Sequence, residues 1–278
     1  MNIRQILIIG GDLRTKQLAL SLAADGYKVK RFSDTDTLKG ALDESDVVIL
    51  GLPASRDDKT VDAADLAEPV RIKDLFRLMG NRKLLLAGKM SEAMKAVADV
   101  FGVKWIDYFA RDEFEILNAV PTCEGAIQIA MEELPITLHG SRAVITGYGR
   151  IGKKLAQSLT CLGTSVTVCA RKAAARAQAR ADGFFAIDFP KLPESIRTAD
   201  LVVNTVPHIV IEREELNCAK NALIIDLASK PGGVDMEAAR DVGVRVIWAL
   251  GLPGKTAPVT AGNIIKETIC NIFSELGE

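Results

Sequence analysis

Residues 142–152 read RAVITGYGRIG, and this stretch predicts the fold of the 278-residue chain. RAVIT is an apolar strand, the pattern Gly-x-Gly-x-x-Gly follows it at once, and a helix is predicted from Arg150 to Leu162. In such a turn the first glycine permits the tight bend, the second lets backbone approach a pyrophosphate, and the third lets helix and strand pack closely. The phosphates would then meet free N–H groups at the helix N-terminus. The stretch therefore predicts a Rossmann domain that binds a dinucleotide through Gly147, Tyr148, Gly149, Arg150, Ile151 and Gly152.

The residues after the second strand of this domain bear on the type of dinucleotide. That strand is predicted at 165–169, and Ala170-Arg171-Lys172 follows it. NAD enzymes usually place an Asp or Glu there, about 20 residues past the first glycine, where it binds the ribose 2′-hydroxyl. Arg171 and Lys172 would instead bind a 2′-phosphate, so the sequence favours NADP(H) as the cofactor. The alternative is that both basic side chains are merely solvated at the start of a helix.

Three later strand ends are expected to reach the same site, because ligands of open α/β sheets bind outside the carboxyl ends of the strands. They are Asn204-Thr205-Val206-Pro207, Asp226-Leu227-Ala228-Ser229 and Gly251-Leu252-Pro253-Gly254. His208 adjoins the first of these and is interpreted as a loop histidine. The predicted cofactor-binding residues are completed by Ala170, Thr205, Val206, Pro207, Asp226, Ala228, Ser229, Leu252, Pro253 and Ala257.

Short apolar strands alternate with amphipathic stretches along the whole chain, which is the pattern of parallel sheets with crossover helices. The first half has strands predicted near 5–9, 27–31, 46–50, 83–87 and 103–106, with helices near 14–25, 72–79 and 91–101. The second half has strands predicted near 142–146, 165–169, 184–187, 200–204, 222–227 and 244–249. The predicted fold is therefore α/β, with two Rossmann-like doubly wound domains, parallel sheets and a cleft between the domains.

The segment between the halves predicts the domain boundary. Thr122 is interpreted as the N-cap of a bridging amphipathic helix that runs from Glu124 to Leu134. A last amphipathic helix, Thr260 to Leu276, is expected to pack back on the N-terminal domain, whose sheet has only five strands. The alternative is that this helix simply adds to the second domain. The domains are thus predicted as 1–121 plus 260–278 for substrate and 122–259 for NADP.

Composition excludes several classes of function. The formal net charge is −1, from 35 basic and 36 acidic residues, so neither nucleic acid nor an anionic membrane is expected as a partner. No apolar run reaches the roughly 20 residues that span a bilayer, and no signal-peptide pattern is expected at the start of the sequence. The five cysteines are scattered, which is typical of reduced cytosolic thiols, and only two histidines occur. No metal site is therefore predicted, and Cys123 is interpreted as a small buried residue.

The N-terminal half opens with a broken copy of the glycine turn. Gly10-Gly11-Asp12-Leu13-Arg14-Thr15 follows a strand and precedes a helix, but it lacks glycines at the third and sixth positions. Asp12 would also repel a pyrophosphate, so this half is not expected to bind a second nucleotide. A helix N-terminus beside Arg14 is instead a candidate for binding a carboxylate, and Lys89 after a strand end is another. The alternative for each is a solvated charge.

Several motifs spread along the chain occur in combination. They begin with Ile9-Gly10-Gly11-Asp12-x-Arg14, then Arg111-Asp112-Glu113 with Asn118-Ala119-Val120-Pro121-Thr122, and then the glycine turn. Asp226-Leu227-Ala228-Ser229-x-Pro231-Gly232-Gly233 and Leu252-Pro253-Gly254-Lys255-x-Ala257-Pro258-x-Thr260-Ala261-Gly262 continue the series. Together they resemble, nearly end to end, the family formed by the A subunits of dipicolinate synthase from spore-forming bacteria. The linker and the last motif are the most specific, and Cys123 departs mildly from the small residue expected there.

The resemblance implies an enzyme that forms dipicolinate (pyridine-2,6-dicarboxylate) from dihydrodipicolinate or hydroxytetrahydrodipicolinate, on a branch of the lysine/diaminopimelate pathway. It also implies a flavoprotein-like partner, the B subunit of dipicolinate synthase, and a place in the mother-cell cytoplasm during sporulation. A homodimer is the default assembly for this architecture. The alternatives are an NAD(P)-dependent dehydrogenase of another small keto, hydroxy or amino acid, and a non-catalytic NADP-binding regulatory subunit.

Such a substrate carries two carboxylates and loses a hydride and a proton as its ring becomes aromatic. The protein then needs mainly orientation and a hydride acceptor. The candidates for binding the substrate are Arg14, Lys89, Asn118 and Thr122. The candidates for the catalytic base are Lys89, Asp112, Glu113 and Glu124.

Overall fold

The computed structural model describes residues 3–277, which form two compact units, each with its own parallel β-sheet. The first unit comprises the residues up to Asn118 together with those from Ala257 onward, and the second comprises Ala119–Thr256. The chain therefore leaves the first unit once and comes back to it at the end. Two doubly wound α/β units with parallel sheets confirm the fold class that the alternating strand and helix pattern predicts.

The first unit is built on five strands that all match their predicted positions to within one residue. They are β1 (Gln5–Ile9), β2 (Lys28–Arg31), β3 (Val47–Leu50), β4 (Leu84–Ala87) and β5 (Lys104–Asp107). The connecting helices are α1 (Leu13–Ala24), α2 (Leu38–Asp43), α3 (Ile72–Met79) and α4 (Glu92–Val100). The sheet order is β2-β1-β3-β4-β5, so the order reverses at β1 and β3. The short α2, capped by the Thr37 side chain, is the one helix of these four that the sequence pattern does not predict.

The helix α5 (Asp112–Glu133) corrects the predicted bridge between the halves. Thr122 was expected to cap a helix beginning near Glu124, but it lies inside a continuous helix of 22 residues, one position after Pro121. A proline inside a helix costs about 3 kcal/mol or more, because it removes one hydrogen bond and crowds the preceding turn. Pro121, Thr122 and Cys123 are all buried, and their burial offsets that cost. The boundary between Asn118 and Ala119 falls within this helix.

The second unit contains six strands, which match their predicted positions to within two residues. They are β6 (Arg142–Thr146), β7 (Ser165–Cys169), β8 (Phe185–Ile187), β9 (Leu201–Asn204), β10 (Leu223–Asp226) and β11 (Val246–Trp248). Its further helices are α6 (Arg150–Cys161), α7 (Ala173–Ala181), α8 (Leu192–Arg197), α9 (Arg213–Cys218), α10 (Met236–Val242) and α11 (Leu252–Thr256). The sheet order is β11-β10-β9-β6-β7-β8, so the strand order reverses between β6 and β9. Open α/β sheets bind ligands at such a reversal.

The central strands of both sheets are buried on both faces. Every residue of β3 and of β10 is buried. Because helices cover both faces of a parallel sheet, these strands do not alternate with polar residues, and the polar residue that they do contain, Asp226, ends β10. The first polar groups to reach solvent are therefore those that follow the carboxyl ends of the strands, and these ends carry most of the candidate site residues.

The last helix, α12 (Pro258–Glu275), packs against α1 and confirms that the C-terminus comes back to the N-terminal domain. Ile265, Ile269 and Phe273 share a buried cluster with Leu18 and Leu22 of α1. The two helices approach closely at Gly262, where an added Cβ would lie 2.7 Å from the carbonyl oxygen of Arg14. Among the helices formed by residues 3–277, none combines the length and the apolar character that a membrane crossing requires.

The close approach at Gly262 yields a test of this packing. Gly262→Val should lower the free energy of unfolding by about 1–3 kcal/mol, because the new methyl groups overlap the backbone of α1. Glu267→Val places the same side chain at an exposed position of α12 and should cost far less. Equilibrium urea unfolding measures both, and equal losses in the two variants would contradict the close contact between α1 and α12.

Candidate functional site

The glycine turn between β6 and α6 has no room for side chains at two of its three glycines. Gly147 has a φ of +93°, and a Cβ added there would lie 2.4 Å from Oγ1 of Thr205. A Cβ added to Gly152 would lie 2.3 Å from the carbonyl oxygen of Gly147. The turn therefore packs against the helix through bare backbone and against the Thr205 side chain after β9, as the spacing of the glycines predicts.

The middle glycine is different. Its φ is −88°, an ordinary value, and a Cβ added to Gly149 meets no atom of residues 3–277 within 4 Å. Gly149 is the N-cap of α6, it offers no side-chain cap, and the first turn of the helix contains no acidic residue. The N–H groups at this helix end are suited to an anion, and the open space beside Gly149 lets one approach the backbone.

A cavity of about 670 Å³ opens beside this turn. It lies at the carboxyl ends of β6, β7 and β9, where the strand order reverses. Seven of the predicted cofactor residues line it: Gly147, Tyr148, Gly149, Ala170, Arg171, Lys172 and Val206. Four further lining residues are Ala175, Phe189, His208 and Val210. Of these, the sequence singled out only His208 and interpreted it as a loop residue, because the others are ordinary apolar positions.

The basic pair at the end of β7 faces this cavity. Arg171 and Lys172 are both exposed and both line its wall. Among the residues that the structure describes, no Asp or Glu lines this cavity. Lys172 is the N-cap of α7 and makes no side-chain hydrogen bond to that helix. This end of the cavity therefore carries positive charge and is suited to a phosphate.

Tyr148 ties the glycine turn to the far end of α7. Its hydroxyl donates a hydrogen bond to Oδ2 of Asp182 at 2.7 Å, and its ring packs edge-on against Phe184. Burial and the hydrogen bond to the Asp182 carboxylate raise the pKa of Tyr148. The side chain is thus fixed inside the protein, and Tyr148 holds the turn in place as well as lining the cavity.

Asn204 and Asp226 form a buried polar pair behind the turn. Nδ2 of Asn204 donates to Oδ1 of Asp226 at 2.7 Å, and the hydroxyl of Thr146 donates to Oδ1 of Asn204 at 2.6 Å. The Asp226 carboxylate also accepts from the backbone N–H groups of Ala228 and Gly233. Asp226 is only 1% exposed. Its carboxylate, expected at the cofactor, instead holds the loop after β10.

The remaining predicted cofactor residues lie outside the cavity wall. Leu252 is a core residue of the second unit and packs on α5. A Cβ added to Gly125 of that helix would lie 3.0 Å from the Cβ of Leu252. Pro253 is buried beside it in α11, and Ala257 is the N-cap of α12. Within residues 3–277 the lining also omits Arg150, Ile151, Gly152, Thr205, Pro207, Ala228 and Ser229.

Cys123 lies on α5 beside the glycine turn. Its Sγ is 3.5 Å from the carbonyl oxygen of Ile151, and the residue is 1% exposed. Burial raises the pKa of its thiol to about 12. This confirms Cys123 as a small buried residue, since a thiol so hard to ionise is a poor nucleophile at neutral pH.

In the first unit, the N-terminus of α1 is already occupied by a carboxylate of the protein. Asp12 caps the helix by accepting from the N–H of Arg14 at 2.9 Å, and it also accepts from Nε and Nη2 of the Arg14 guanidinium. Nη2 donates in addition to the carbonyl of Leu52. Burial opposes ionisation of Asp12, but the hydrogen bonds and charge of Arg14 prevail and hold the pKa of this carboxyl below its usual range. Arg14, expected to bind substrate, is thus paired inside the unit.

Lys89 follows the carboxyl end of β4 in an unusual backbone conformation. Its φ is +57°, a region that L-residues rarely adopt, and its side chain is exposed, with Nζ 5.8 Å from the centre of the Phe109 ring. The Asp107 carboxylate holds this turn by accepting from the N–H groups of Lys89 at 2.9 Å and of Met90 at 2.8 Å. Asp107 is a positioning residue that the sequence does not reveal, because its role depends on the pairing of β4 with β5.

The candidates on α5 divide between its faces. Asn118 and Thr122 are four residues apart and share one face, and Thr122 is buried. Glu124 lies about 200° further round the helix from Thr122 and is exposed. Asp112, also exposed, begins the helix, and Glu113 forms an ion pair with Arg111. The structure therefore does not bring Glu124 together with Thr122.

Among residues 3–277, no cluster of histidine, cysteine and acidic side chains is suited to a metal ion.

Comparison with known proteins covers both units. The family model for the N-terminal domain of the dipicolinate synthase A subunit matches residues 5–109. The model for the D-isomer specific 2-hydroxyacid dehydrogenase NAD binding domain matches residues 122–238. The A subunit of dipicolinate synthase from Bacillus subtilis (strain 168) is 30% identical, with 98% of this chain and 96% of that protein aligned.

Solved structures are similar to this chain over nearly its whole length. The crystal structure of the dipicolinate synthase A subunit from Bacillus halodurans superposes with a TM-score of 0.89 at 26% identity, over 97% of each chain. The transhydrogenase from Sinorhizobium meliloti gives a TM-score of 0.69 at 16% identity, over 98% of this chain and 94% of its own. The second likeness concerns the fold alone.

The buried pair behind the turn provides a test of the site's architecture. Asn204→Ala removes the donor to Asp226 and the acceptor of Thr146, so it should lower the free energy of unfolding by about 1–3 kcal/mol. Asn221→Ala, at an exposed turn of the same unit, is the matched control and should be nearly neutral. Urea unfolding followed by circular dichroism measures both. A neutral Asn204 variant would show that this pair does not hold the loops.

Proposed function

The chain belongs to the family of dipicolinate synthase A subunits, and on that premise we propose that it is an NADP-dependent subunit that forms dipicolinate. An oxidoreductase role and a nicotinamide cofactor follow from this membership together with the dehydrogenase-type domain at residues 122–238. Beyond these, we propose the reaction and the choice of NADP. In that reaction dihydrodipicolinate, or hydroxytetrahydrodipicolinate after loss of water, gives up a hydride to NADP⁺ and a proton to a base, and leaves as the aromatic dicarboxylate.

The observation that carries the cofactor assignment is the basic end of the cavity. Arg171 and Lys172 line it at the place where an NAD enzyme has an acidic residue for the ribose 2′-hydroxyl. An acidic side chain would repel a 2′-phosphate, whereas Arg offers a planar fork and Lys a point charge. The apolar wall of Phe189, Val206 and Val210 supports the same placement, because it suits the adenine ring.

The glycine turn supports the position of the pyrophosphate. Neither backbone conformation nor packing requires glycine at position 149, so the open space there is best explained by close approach of a phosphate. When bound, the nicotinamide cofactor supplies the hydride acceptor for the oxidation. The chain's own residues bind and orient it: the turn holds the pyrophosphate, and the loop after β7 holds the adenosine end.

Lys89 is the leading candidate for binding a substrate carboxylate. Its side chain is exposed, and Asp107 holds its turn in a conformation that costs about 1–3 kcal/mol, which is typical of functional positions. Arg14 is placed second for binding the substrate, because its Nε and Nη2 already donate hydrogen bonds to the Asp12 carboxylate and the Leu52 carbonyl. Asn118 and Thr122 remain candidates for polar contacts to the substrate.

The base that accepts the proton stays open between three residues. Asp112 and Glu124 are exposed carboxylates on α5, and Lys89 is an exposed amine. Each has the chemistry to accept a proton from a ring carbon or nitrogen.

We further propose that the chain works with the flavoprotein-like B subunit of dipicolinate synthase and forms a homodimer, in the mother-cell cytoplasm of a sporulating bacterium. The family name supports the partner, since it denotes one part of a larger enzyme.

A dehydrogenase of another small acid is the second candidate function. The match to the 2-hydroxyacid dehydrogenase NAD binding domain favours it. Against it, the chain has only two histidines, so few residues can pair with an acid in the way expected for a 2-hydroxy-acid enzyme. His139 lies against Gly163, where an added Cβ would be 2.2 Å from the His139 Nδ1, and His208 lines the proposed cofactor cavity.

Cofactor choice is tested by titration. The purified chain should bind NADP about tenfold or more tightly than NAD, because charge-assisted hydrogen bonds to the 2′-phosphate add roughly 1.5–3 kcal/mol. Arg171→Ala should remove most of the difference by weakening NADP alone. Arg180→Ala, which removes a charge from the far end of α7, is the matched control. Equal affinity for NAD and NADP in the unaltered chain would reject the assignment.

Turnover is tested with a dihydrodipicolinate-generating system, NADP and the B subunit of a dipicolinate synthase. NADPH and a pyridine dicarboxylate should form together in equal amounts. Lys89→Ala should lower kcat/KM by about 10–100-fold, the loss of one charge-assisted contact, while Lys89→Arg keeps more of it. Lys104→Ala, an exposed lysine of β5, should have no effect. No product with or without the partner, alongside reduction of NADP by another small acid, would favour the second candidate.

A further inference from the structure

Arg176 lies in the first turn of α7, and no sequence motif singles it out. Nη1 of its guanidinium donates hydrogen bonds to the carbonyl oxygens of Ala170 at 2.8 Å and of Arg171 at 2.7 Å. Both carbonyls belong to the loop between β7 and α7, and both residues line the cavity. Arg176 itself is not among the lining residues described, and both of these hydrogen bonds go to the loop.

These two bonds fix the bend that ends β7. One nitrogen reaches two consecutive carbonyls only where the backbone turns, so the bonds hold a single loop shape. The loop gains no help from a capping side chain, because Lys172 occupies the N-cap of α7 without such a bond. The charge of Arg176 also strengthens both bonds, since hydrogen bonds from an ionised donor are stronger than neutral ones.

The opposite end of α7 is fixed independently. Asp182 follows the helix and accepts from the hydroxyl of Tyr148 at 2.7 Å and from Nε2 of Gln178 at 2.8 Å. Since Tyr148 belongs to the glycine turn, α7 is tied to the proposed pyrophosphate site at one end and to the loop carrying Arg171 at the other. The spacing between the two sites is set by both attachments.

We propose that Arg176 is a positioning residue for cofactor selection, which keeps Arg171 and Lys172 facing the 2′-phosphate by holding the backbone between β7 and α7. The inference rests on the proposed NADP preference and adds a residue that does not touch the cofactor. A loosened loop costs ordering entropy when the two basic side chains close on a phosphate. Binding of the adenine and 5′-phosphate, which other walls of the cavity provide, does not carry that cost.

Two small ligands separate this role from a general structural one. Adenosine 5′-monophosphate and adenosine 2′,5′-bisphosphate differ only in the 2′-phosphate, so the ratio of their Kd values reports on that group alone. Calorimetric titration of the full chain should give a ratio of about ten or more in favour of the bisphosphate.

Arg176→Met should lower this ratio at least about fivefold, with the Kd for the monophosphate within about twofold of the unaltered chain. Arg176→Lys, whose ammonium can donate to both carbonyls, should keep the ratio within about twofold. Circular dichroism checks folding, and Arg176→Gln replaces the Met variant should that variant be unstable.

Arg180→Met is the matched control, because it removes the same charge one turn further along α7 at an exposed position. The inference is overturned if this control lowers the ratio as much, if Arg176→Met leaves the ratio unchanged, or if both ligands weaken equally. A ratio near one in the unaltered chain would remove the NADP preference itself, and the role of Arg176 with it. That outcome is distinct, since it appears before any substitution is made.

Discussion

The close contact between α6 and the glycine turn is the constraint on which the rest of the second unit's site depends. A Cβ at Gly152 would lie 2.3 Å from the carbonyl of Gly147, so helix and turn can meet only where side chains are missing. That contact leaves the N-terminus of α6 open beside Gly149 and places it at the reversal of strand order between β6 and β9. Tyr148 and the pair Asn204–Asp226 then hold the neighbouring loops around the opening. Tyr148 both lines the cavity and holds the turn, whereas Asn204 and Asp226 hold the loops without lining the cavity.

The two units differ in what lies at the N-terminus of the helix that follows their first strand. Both join a first strand to a helix through a glycine-containing turn, and each helix end offers N–H groups to an anion. In the second unit this end is open, whereas in the first the Asp12 carboxylate fills it and is neutralised by Arg14. The N–H of Gly11 is likewise taken by the carbonyl of Asp62. The helix end of the second unit is thus open to an anion, whereas that of the first is closed by the Asp12 carboxylate and, at Gly11, by the Asp62 carbonyl.

Sequence patterns located strand ends better than they located side chains. Arg171, Lys172 and Val206 follow predicted strands, and all three line the cavity because strand position alone determines where they emerge. Asp226 lies at the end of a predicted strand and Leu252 follows one, but the first is buried in a hydrogen-bond network and the second packs on α5. Pattern cannot separate these cases, since whether a side chain at a strand end turns inward or outward depends on which partners lie beside it. No local pattern predicts the roles of Arg176 and Asp107 either, because both side chains hold backbone groups that the fold brings beside them.

By itself, the sequence determined the strands that residues 3–277 form, the α/β organisation of both halves and the glycine turn, because each depends on local periodicity or on glycine spacing. It also favoured the return of the last helix to the first unit, which the packing of α12 on α1 confirms. The motifs along the chain also indicated the family. Only the tertiary structure decided that α5 runs unbroken through Pro121, that Arg14 is paired with Asp12, and that Asp226 serves the loop and not the cavity. These outcomes balance a local cost or charge against burial and distant partners. That balance is set by contacts between segments far apart in sequence, and no local pattern records it.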